Sequence, residues 1–246
     1  MVVVSHKRGF VFVKCIRAAS SSMEEFLWKF RGEKDVFTPY PPRWDRRQND
    51  TGFYNFLKDL PYGIRLFIDL PMFGVNSLNY RAGWVTRILR HFRRRERYYD
   101  HMPAWMIRNR IGSRLFKEYF VFCFERNPWD KVVSRYLFYR KYGNNFNLSF
   151  REFVKSDWVY DALNFPLYTD PADYSIIVDY IGYYENLEED FARAMRKIGL
   201  PEELDVNINV SQEVDTGYRR FYDDVELRER VWDAYSFEIE LHGYDF

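Results

Sequence analysis

The stretch YFVFCFERNP, residues 119–128, decides the fold that we predict for this chain of 246 residues. Its first six residues are apolar throughout, as in a strand that is covered on both faces. Asn127 suits the N-cap of a helix and Pro128 its first position, so a helix is predicted from there to about Tyr142. A buried strand that leads directly into a helix is typical of an α/β protein.

A second switch from strand to helix lies about a hundred residues earlier in the chain. Residues 9–16 (GFVFVKCI) are apolar and rich in β-branched and aromatic side chains, which predicts a buried strand. Residues 21–24 (SSME) then have the S-x-x-E pattern of a capping box, so a helix is predicted to follow.

The remaining elements alternate in the same way. Residues 36–62 have only a weak period and are predicted as an irregular excursion. The other predictions are helices at Trp84–Phe92, Ala104–Phe116, Leu187–Ile198 and Glu226–Leu241, and a strand at Ser175–Tyr184. The order predicts one domain over residues 1–246, with a three-layer α/β fold around a central, mostly parallel sheet.

The composition excludes several classes of protein. With 47% apolar and 30% charged residues, the chain is neither disordered nor fibrous. No run of about eighteen uncharged apolar residues occurs and the start does not resemble a signal peptide, so we expect a cytoplasmic protein without a membrane span. The four histidines and two cysteines share no ligand spacing, and no metal is expected. Cys15 and Cys123 are predicted as buried free thiols rather than a disulfide.

The net charge of +1 means that any attraction for anions must come from local clusters. The densest cluster is the arginine run between Arg87 and Arg97. We interpret it first as a solvated helix face paired with carboxylates and second as a wall that binds an anionic acceptor. Nucleic acid is not expected as a partner, because the total charge is balanced.

The turn after the first predicted strand consists of an arginine and small residues, RAASSS at 17–22. Small side chains let the backbone fold tightly around an oxyanion, and the start of a helix adds positive potential. Neither G-x-x-x-x-G-K-[ST] nor G-x-G-x-x-G occurs. An ordinary helix N-terminus capped by serines explains these residues equally well.

The second switch places Arg126 at the carboxyl end of a strand and Ser134 on the helix that follows. Ligands of parallel sheets collect at the carboxyl ends of strands, so an arginine here is suited to hold a phosphate with help from the hydroxyl. Taken singly, each residue is explained better by a structural role, an ion pair for Arg126 and a helix-surface position for Ser134.

Taken together, residues 10–24 and 122–136 resemble the carbohydrate-type (Golgi and bacterial) family of sulfotransferases. The family uses 3′-phosphoadenosine 5′-phosphosulfate (PAPS) and joins a strand to a loop with Lys, small residues and a Thr/Ser pair, which binds the 5′-phosphosulfate. Its second motif is Arg-[Asp/Asn]-Pro-aromatic with a Ser eight residues after the Arg, which binds the 3′-phosphate. Weaker likenesses lie at His101–Ala104, at Tyr184–Phe191 and in the closing segment from Tyr218 to Tyr244.

The resemblance implies a transfer of a sulfuryl group from PAPS to a hydroxyl of a carbohydrate or small molecule, without a metal. It leaves residues 32–97 unmatched, so we expect an acceptor-specific insertion at about 36–97. The implied catalytic residues are Arg17 and His101, with His101 as the base. The implied nucleotide-binding residues are Arg17, Ala18, Ala19, Ser20, Ser21, Ser22, Met23, Arg126, Ser134, Tyr218, Arg219 and Arg220.

One residue departs from the family pattern. Arg17 stands where the family usually carries the Lys that bridges to the leaving-group oxygen, and Arg is larger, planar and forked. Lys14, three residues earlier, is a candidate substitute. The alternatives are therefore a non-catalytic relative that binds a nucleotide or glycan, and a small-molecule kinase, against which the missing Gly-Lys-Ser/Thr argues.

Overall fold

The structure is a computed structural model, and it describes residues 2–37, 98–143, 145–204 and 217–246. The predicted excursion at 36–62, apart from its first two residues, lies outside the described residues. The same holds for the predicted helix Trp84–Phe92 and for the arginine run that ends at Arg97.

Five described strands form one sheet in the order β3-β1-β2-β4-β5. They are β1 (Val3–Ser5), β2 (Phe10–Phe12), β3 (Val36–Phe37), β4 (Phe120–Glu125) and β5 (Tyr180–Tyr183). The pairs β2–β4 and β4–β5 are parallel, with Phe12 opposite Phe122 and Phe124 opposite Gly182. β1 is antiparallel to both β2 and β3, so it is the strand of the described sheet that runs against the others. The predicted α/β class with a mostly parallel sheet is confirmed.

Helices connect and flank the strands. They are α1 (Ser20–Trp28), α2 (Ala104–Ile111), α3 (Ser113–Glu118), α4 (Pro128–Tyr142), α5 (Phe150–Lys155), α6 (Phe165–Tyr168), α7 (Leu187–Ile198) and α8 (Val225–His242). Single 3₁₀ turns lie at Asp157–Ala162, Tyr184–Asn186 and Tyr218–Phe221. The predicted start of α4 is confirmed, because Asn127 accepts a hydrogen bond from the amide of Trp129 and Pro128 is the first helical residue.

The predicted capping box at residues 21–24 is wrong. The N-cap of α1 lies two residues earlier than this pattern predicts, at Ala19, which has the left-handed conformation and makes no side-chain cap. Glu24 Oε2 instead lies 3.4 Å from Nζ of Lys14. A buried lysine needs a counter-ion more than the first turn needs a carboxylate cap, which accounts for the difference.

Two predicted elements are shorter than expected. The predicted helix Ala104–Phe116 is broken into α2 and α3 at Gly112, whose φ of 91° is open to glycine and strained for other residues. The predicted strand Ser175–Tyr184 begins only at Tyr180, because the chain before it bonds to another segment. There the amide of Ile177 donates to the carbonyl of Tyr168 and Ser175 accepts from the amide of Asp170.

Aromatic side chains fill the centre of the sheet. The rings of Phe12 and Phe122 lie 5.2 Å apart between adjacent strands. Phe26 of α1 meets Phe191 of α7 edge to face at 4.9 Å. A fully buried phenylalanine contributes about 1.5–3 kcal/mol relative to an exposed one, so these rings hold the strands and helices that carry the site in place. Cys15 and Cys123 are buried free thiols, as predicted.

A buried ion cluster connects β4, α4 and α8. Nζ of Lys131 lies 2.8 Å from Oε1 of Glu125 and also contacts Oε2 of Glu238, and all three side chains are fully buried. Glu238 Oε1 accepts hydrogen bonds from the amides of Asn164 and Phe165. Burial, opposed by the charge of Lys131, raises the pKa of Glu238 to about 7.

Glu238 should therefore make the stability depend on pH. Its folded pKa lies above that of the unfolded chain, so its contribution to the free energy of unfolding is complete below pH 4.5 and is lost as the pH rises through about 7. Glu238→Gln removes this ionisation and keeps an acceptor for the two amides. Urea unfolding between these pH values should show a smaller fall in the free energy of unfolding for E238Q than for the wild type.

The matched control is Glu240→Gln, an exposed position on the same helix. E240Q should keep the pH dependence of the wild type. An equal fall for the wild type and E238Q would show that Glu238 does not titrate in this range.

Candidate active site

The two predicted motifs meet at one edge of the sheet. β2 and β4 are neighbouring parallel strands, so their carboxyl ends lie side by side, and α1 and α4 begin just beyond them. Arg126 Nη1 donates to the main-chain carbonyl of Arg17 at 3.3 Å. Arg17 Nε donates to Oγ of Ser134, which is fully buried, at 2.8 Å. Side chains and backbone of both motifs thus form one site.

The loop before α1 has an unusual backbone. Arg17 and Ala19 have φ values of 59° and 54°, a conformation that residues other than glycine adopt at a cost of about 1–3 kcal/mol. The hydroxyl of Ser20 donates to the carbonyl of Cys15 at 2.7 Å and closes the turn. Within the described part of the chain, the amides of residues 18–21 donate to no acceptor. They are therefore available to an anion at the helix start.

Asn164 fixes this loop to the rest of the protein. Its side-chain oxygen accepts from the amide of Ile16 at 2.7 Å, and its Nδ2 donates to the carbonyl of Ile16 at 3.1 Å. The same Nδ2 donates to Oε1 of Glu125 at 2.8 Å. A single buried amide thus connects the residue before Arg17 with the residue before Arg126.

The site concentrates positive charge. Burial, together with the positive charges of Arg126 and Arg135, lowers the pKa of Arg17 to about 10. Among the described residues, Arg17 has Ser134 and the ring of Phe138 as neighbours and no carboxylate partner. Arg17 is half-buried, and a cation that is partly removed from water is stabilised when an anion binds beside it.

Arg126 is held from two sides. Its guanidinium carbon lies 3.9 Å from the ring centroid of Tyr184, and Nε donates to Oδ2 of Asp130 at 2.8 Å. Nη2 is 2.7 Å from the same oxygen without the geometry of a hydrogen bond, so this buried donor stays unsatisfied. Burial raises the pKa of Asp130, against the effect of Arg126. The arrangement leaves one face of Arg126 able to bind a further acceptor.

His101 lies beside Lys14, which precedes Arg17 by three residues in the sequence. Its Nδ1 is 2.9 Å from the carbonyl of Lys14, and a carbonyl can only accept, so Nδ1 carries the proton and Nε2 the lone pair. Burial, with the positive charges of the amino terminus, Lys14 and Arg135, lowers the pKa of His101 well below its ordinary value. The ring is therefore neutral at pH 7, and Nε2 can accept a proton.

The other predicted site residues lie around this centre. The amide of Met23 donates to the carbonyl of Ala19 and its side chain belongs to the core, whereas Ser21 is half-buried. In the closing segment, Nη2 of Arg219 donates to the carbonyl of Phe246 at 2.7 Å and the ring of Tyr218 packs on Phe246. Burial raises the pKa of Tyr218, and Asp130 acts on it in the same direction. The closing segment therefore lies near Asp130, the ion-pair partner of Arg126.

Sequence reasoning missed three residues of the site, Asn164, Asp130 and Asp100. Asn164 stands in a segment that carries no motif, and Asp130 lies within the second motif but is not one of the residues to which the motif assigns a role. Asp100 directly precedes the segment that begins at His101. Tyr184 was included in a resembling stretch, but its ring contact with Arg126 was not expected.

Neither a metal nor a membrane span is indicated in the part of the chain that the structure describes. No cluster of three or more His, Cys, Asp or Glu side chains suited to a metal ion occurs there. No helix of the described ranges is both long enough and apolar enough to cross a membrane.

The chain is an α/β protein whose mixed sheet carries a cationic loop at the ends of two parallel strands, an arrangement that is suited to an anion. The family model described as the sulfotransferase family matches residues 2–245, and the chain belongs to that family. An uncharacterized protein of Archaeoglobus fulgidus is 71% identical over 120 residues, which cover 48% of this chain and 98% of that relative. No solved structure matches the chain.

Replacing Asn164 tests how the loop is fixed. Asn164→Ala leaves the amide of Ile16 without its acceptor in a buried place, which should lower the free energy of unfolding by about 1–3 kcal/mol. Urea unfolding measures the loss. Asn147→Ala at an exposed position should change the same quantity by less than about 0.5 kcal/mol. Equal values for the two variants would contradict the role given to Asn164.

Proposed function

We propose that the protein transfers the sulfuryl group of PAPS to a hydroxyl of a carbohydrate or small-molecule acceptor. The observation that carries this proposal is the meeting of Arg17, Ser134 and Arg126, in which the half-buried Arg17 has no carboxylate partner among the described residues. Membership of the sulfotransferase family supports a sulfuryl donor as the anion that completes the site.

The donor would bind across both motifs. The amides of residues 18–21 and the guanidinium of Arg17 are suited to the 5′-phosphosulfate, as in a phosphate-binding loop without the Walker sequence. Arg126 and Ser134 are suited to the 3′-phosphate, because charge-assisted hydrogen bonds from arginine recognise phosphate oxygens. Tyr218, Arg219 and Arg220 would close over the nucleotide from the segment beside Asp130.

The transfer is an in-line displacement at sulfur. The acceptor oxygen forms a bond to sulfur while the bond from sulfur to the 5′-phosphate oxygen breaks, and the electron pair leaves on that oxygen. Positive charge from Arg17 stabilises the leaving group as negative charge develops on it. The acceptor's proton moves to Nε2 of His101, which the carbonyl of Lys14 keeps unprotonated beforehand.

Nucleotide binding tests the assignment of the 3′-phosphate. Isothermal titration should show that 3′-phosphoadenosine 5′-phosphate binds at least about tenfold more tightly than AMP, since one charge-assisted contact is worth about 1.5–3 kcal/mol. Arg126→Gln should remove most of this preference. Ser134→Ala, a smaller change, should reduce it and so covers the case in which R126Q does not fold.

The matched control is Arg140→Gln, an exposed position on the same helix. R140Q should keep the preference for the 3′-phosphate. Equal affinity of the wild-type protein for AMP and for 3′-phosphoadenosine 5′-phosphate would remove the proposed role of Arg126 and Ser134.

Turnover tests catalysis itself. We expect labelled PAPS to pass its sulfuryl group to one or more members of a panel of polysaccharides and small hydroxylated compounds, and Arg17→Ala to abolish the transfer. A second candidate function, nucleotide binding without catalysis, is favoured by one observation, the Arg at the position where the family usually carries Lys. Binding without turnover in the wild type, together with turnover in Arg17→Lys, would identify that second function.

A further inference from the structure

A cluster of charged side chains lies beside His101, and the reaction as proposed does not use it. Nζ of Lys14 lies 3.4 Å from Oε2 of Glu24 and 3.5 Å from Oδ1 of Asp100. The second oxygen of Asp100, Oδ2, lies 3.4 Å from Nε2 of His101. One carboxylate thus bridges the ammonium of Lys14 and the ring nitrogen that carries the lone pair.

We propose that Asp100 is a positioning residue for the reaction: held by Lys14, its carboxylate accepts a hydrogen bond from the N–H that forms at Nε2 when His101 takes the acceptor's proton, and it holds the protonated ring in place. This inference rests on the proposed function, since it presumes that His101 accepts that proton. Asp100 itself gains no proton. The proton moves from the acceptor hydroxyl to Nε2, and Asp100 contributes a hydrogen-bond acceptor to the product of that step.

The distance between Nε2 of His101 and Asp100 fits a base that is not yet protonated. A neutral ring presents a lone pair at Nε2, and a lone pair and a carboxylate oxygen repel each other at hydrogen-bond distance. The separation of 3.4 Å is longer than a charge-assisted hydrogen bond of about 2.7–2.9 Å, as expected before proton transfer. Once Nε2 is protonated, the same two atoms attract, and a small movement of Asp100 makes the bond.

The side chains of this cluster differ in exposure. The side chain of Lys14 is 6% exposed and that of Glu24 is fully buried, so the ion pair between them is shielded from water. The side chain of Asp100 is 43% exposed and that of His101 is 27% exposed, so both can meet an acceptor. His101 has a φ of 55°, a strained conformation for this residue that the hydrogen bond to the carbonyl of Lys14 helps to maintain.

An NMR titration of the His101 ring tests the contact without any substrate. Among the described residues, the charged groups that face the ring are Asp100 on its own turn, Lys14 after β2 and Arg135 on α4. Asp100→Asn removes a negative charge and should lower the pKa of His101 by about one unit, whereas Lys14→Gln removes a positive charge and should raise it. Shifts of the His101 pKa in opposite directions in these two variants distinguish an electrostatic contact from a general loss of structure.

Two further variants serve as controls for this titration. His101→Gln identifies the signal, because the chain has four histidines. Asp233→Asn removes a carboxylate from an exposed position on α8 and should leave the titration of His101 unchanged. Unchanged titration in both D100N and K14Q, or a shift in the same direction in both, would overturn the role of Asp100.

Kinetics with labelled PAPS complete the experiment. D100N should lower kcat about tenfold with the KM for PAPS unchanged, and Asp100→Glu should restore part of the loss. Wild-type kcat in D100N would overturn the inference while leaving the proposed function intact. Absence of turnover in the wild-type protein across the acceptor panel would overturn the proposed function, and with it the catalytic role of Asp100, whatever the titration shows.

Discussion

The candidate site depends on a buried polar network centred on Glu125. Its carboxylate accepts hydrogen bonds from Lys131, from Asn164 and from the amide of Arg126, all away from water. Because desolvated polar groups are costly when a partner is missing, such a network is stable only when it is complete. Asn164 extends the network to Ile16, and for this reason the loops after β2 and β4 are fixed relative to each other rather than separately.

The ion pairs around the site leave a local positive charge although the net charge of the protein is only +1. The carboxylates near the site are each engaged elsewhere: Asp130 with Arg126, Asp161 with Arg135, and Glu24 with Lys14. Arg17 stays without such a partner among the described residues, and its charge is directed at a hydroxyl and an aromatic ring. Local placement, rather than total charge, thus determines which ligand the site attracts.

Much of the fold was predictable because local signals agreed with the tertiary structure. The apolar run before Glu125 and the cap at Asn127 predicted β4 and the start of α4 correctly. The alternation of elements predicted a mostly parallel sheet, although not the antiparallel strand β1, which is only three residues long. The capping box at 21–24 was wrong because Glu24 is the partner of the buried Lys14, which lies ten residues earlier in the sequence and outside the pattern that signals a cap.

The site was predictable only in part. Arg17, Arg126 and Ser134 belong to motifs with a fixed spacing, and the structure brings them into contact. Asn164 and Asp100 carry no such pattern, since their importance comes from long-range contacts with Ile16 and Lys14. A single sequence records which residues are neighbours along the chain, and it does not record which distant segments share a buried hydrogen bond. The roles of His101 and of the closing segment from Tyr218 stay predictions.

The left-handed backbone of Arg17 and Ala19 has a further consequence. Side chains with a Cβ do not choose this conformation by themselves, so the surrounding contacts impose it when the sheet and helices assemble. The cost of shaping the loop is then met during folding and not when the nucleotide arrives. An anion that binds there would restrict little further conformational freedom of the protein, because the loop is already rigid before binding.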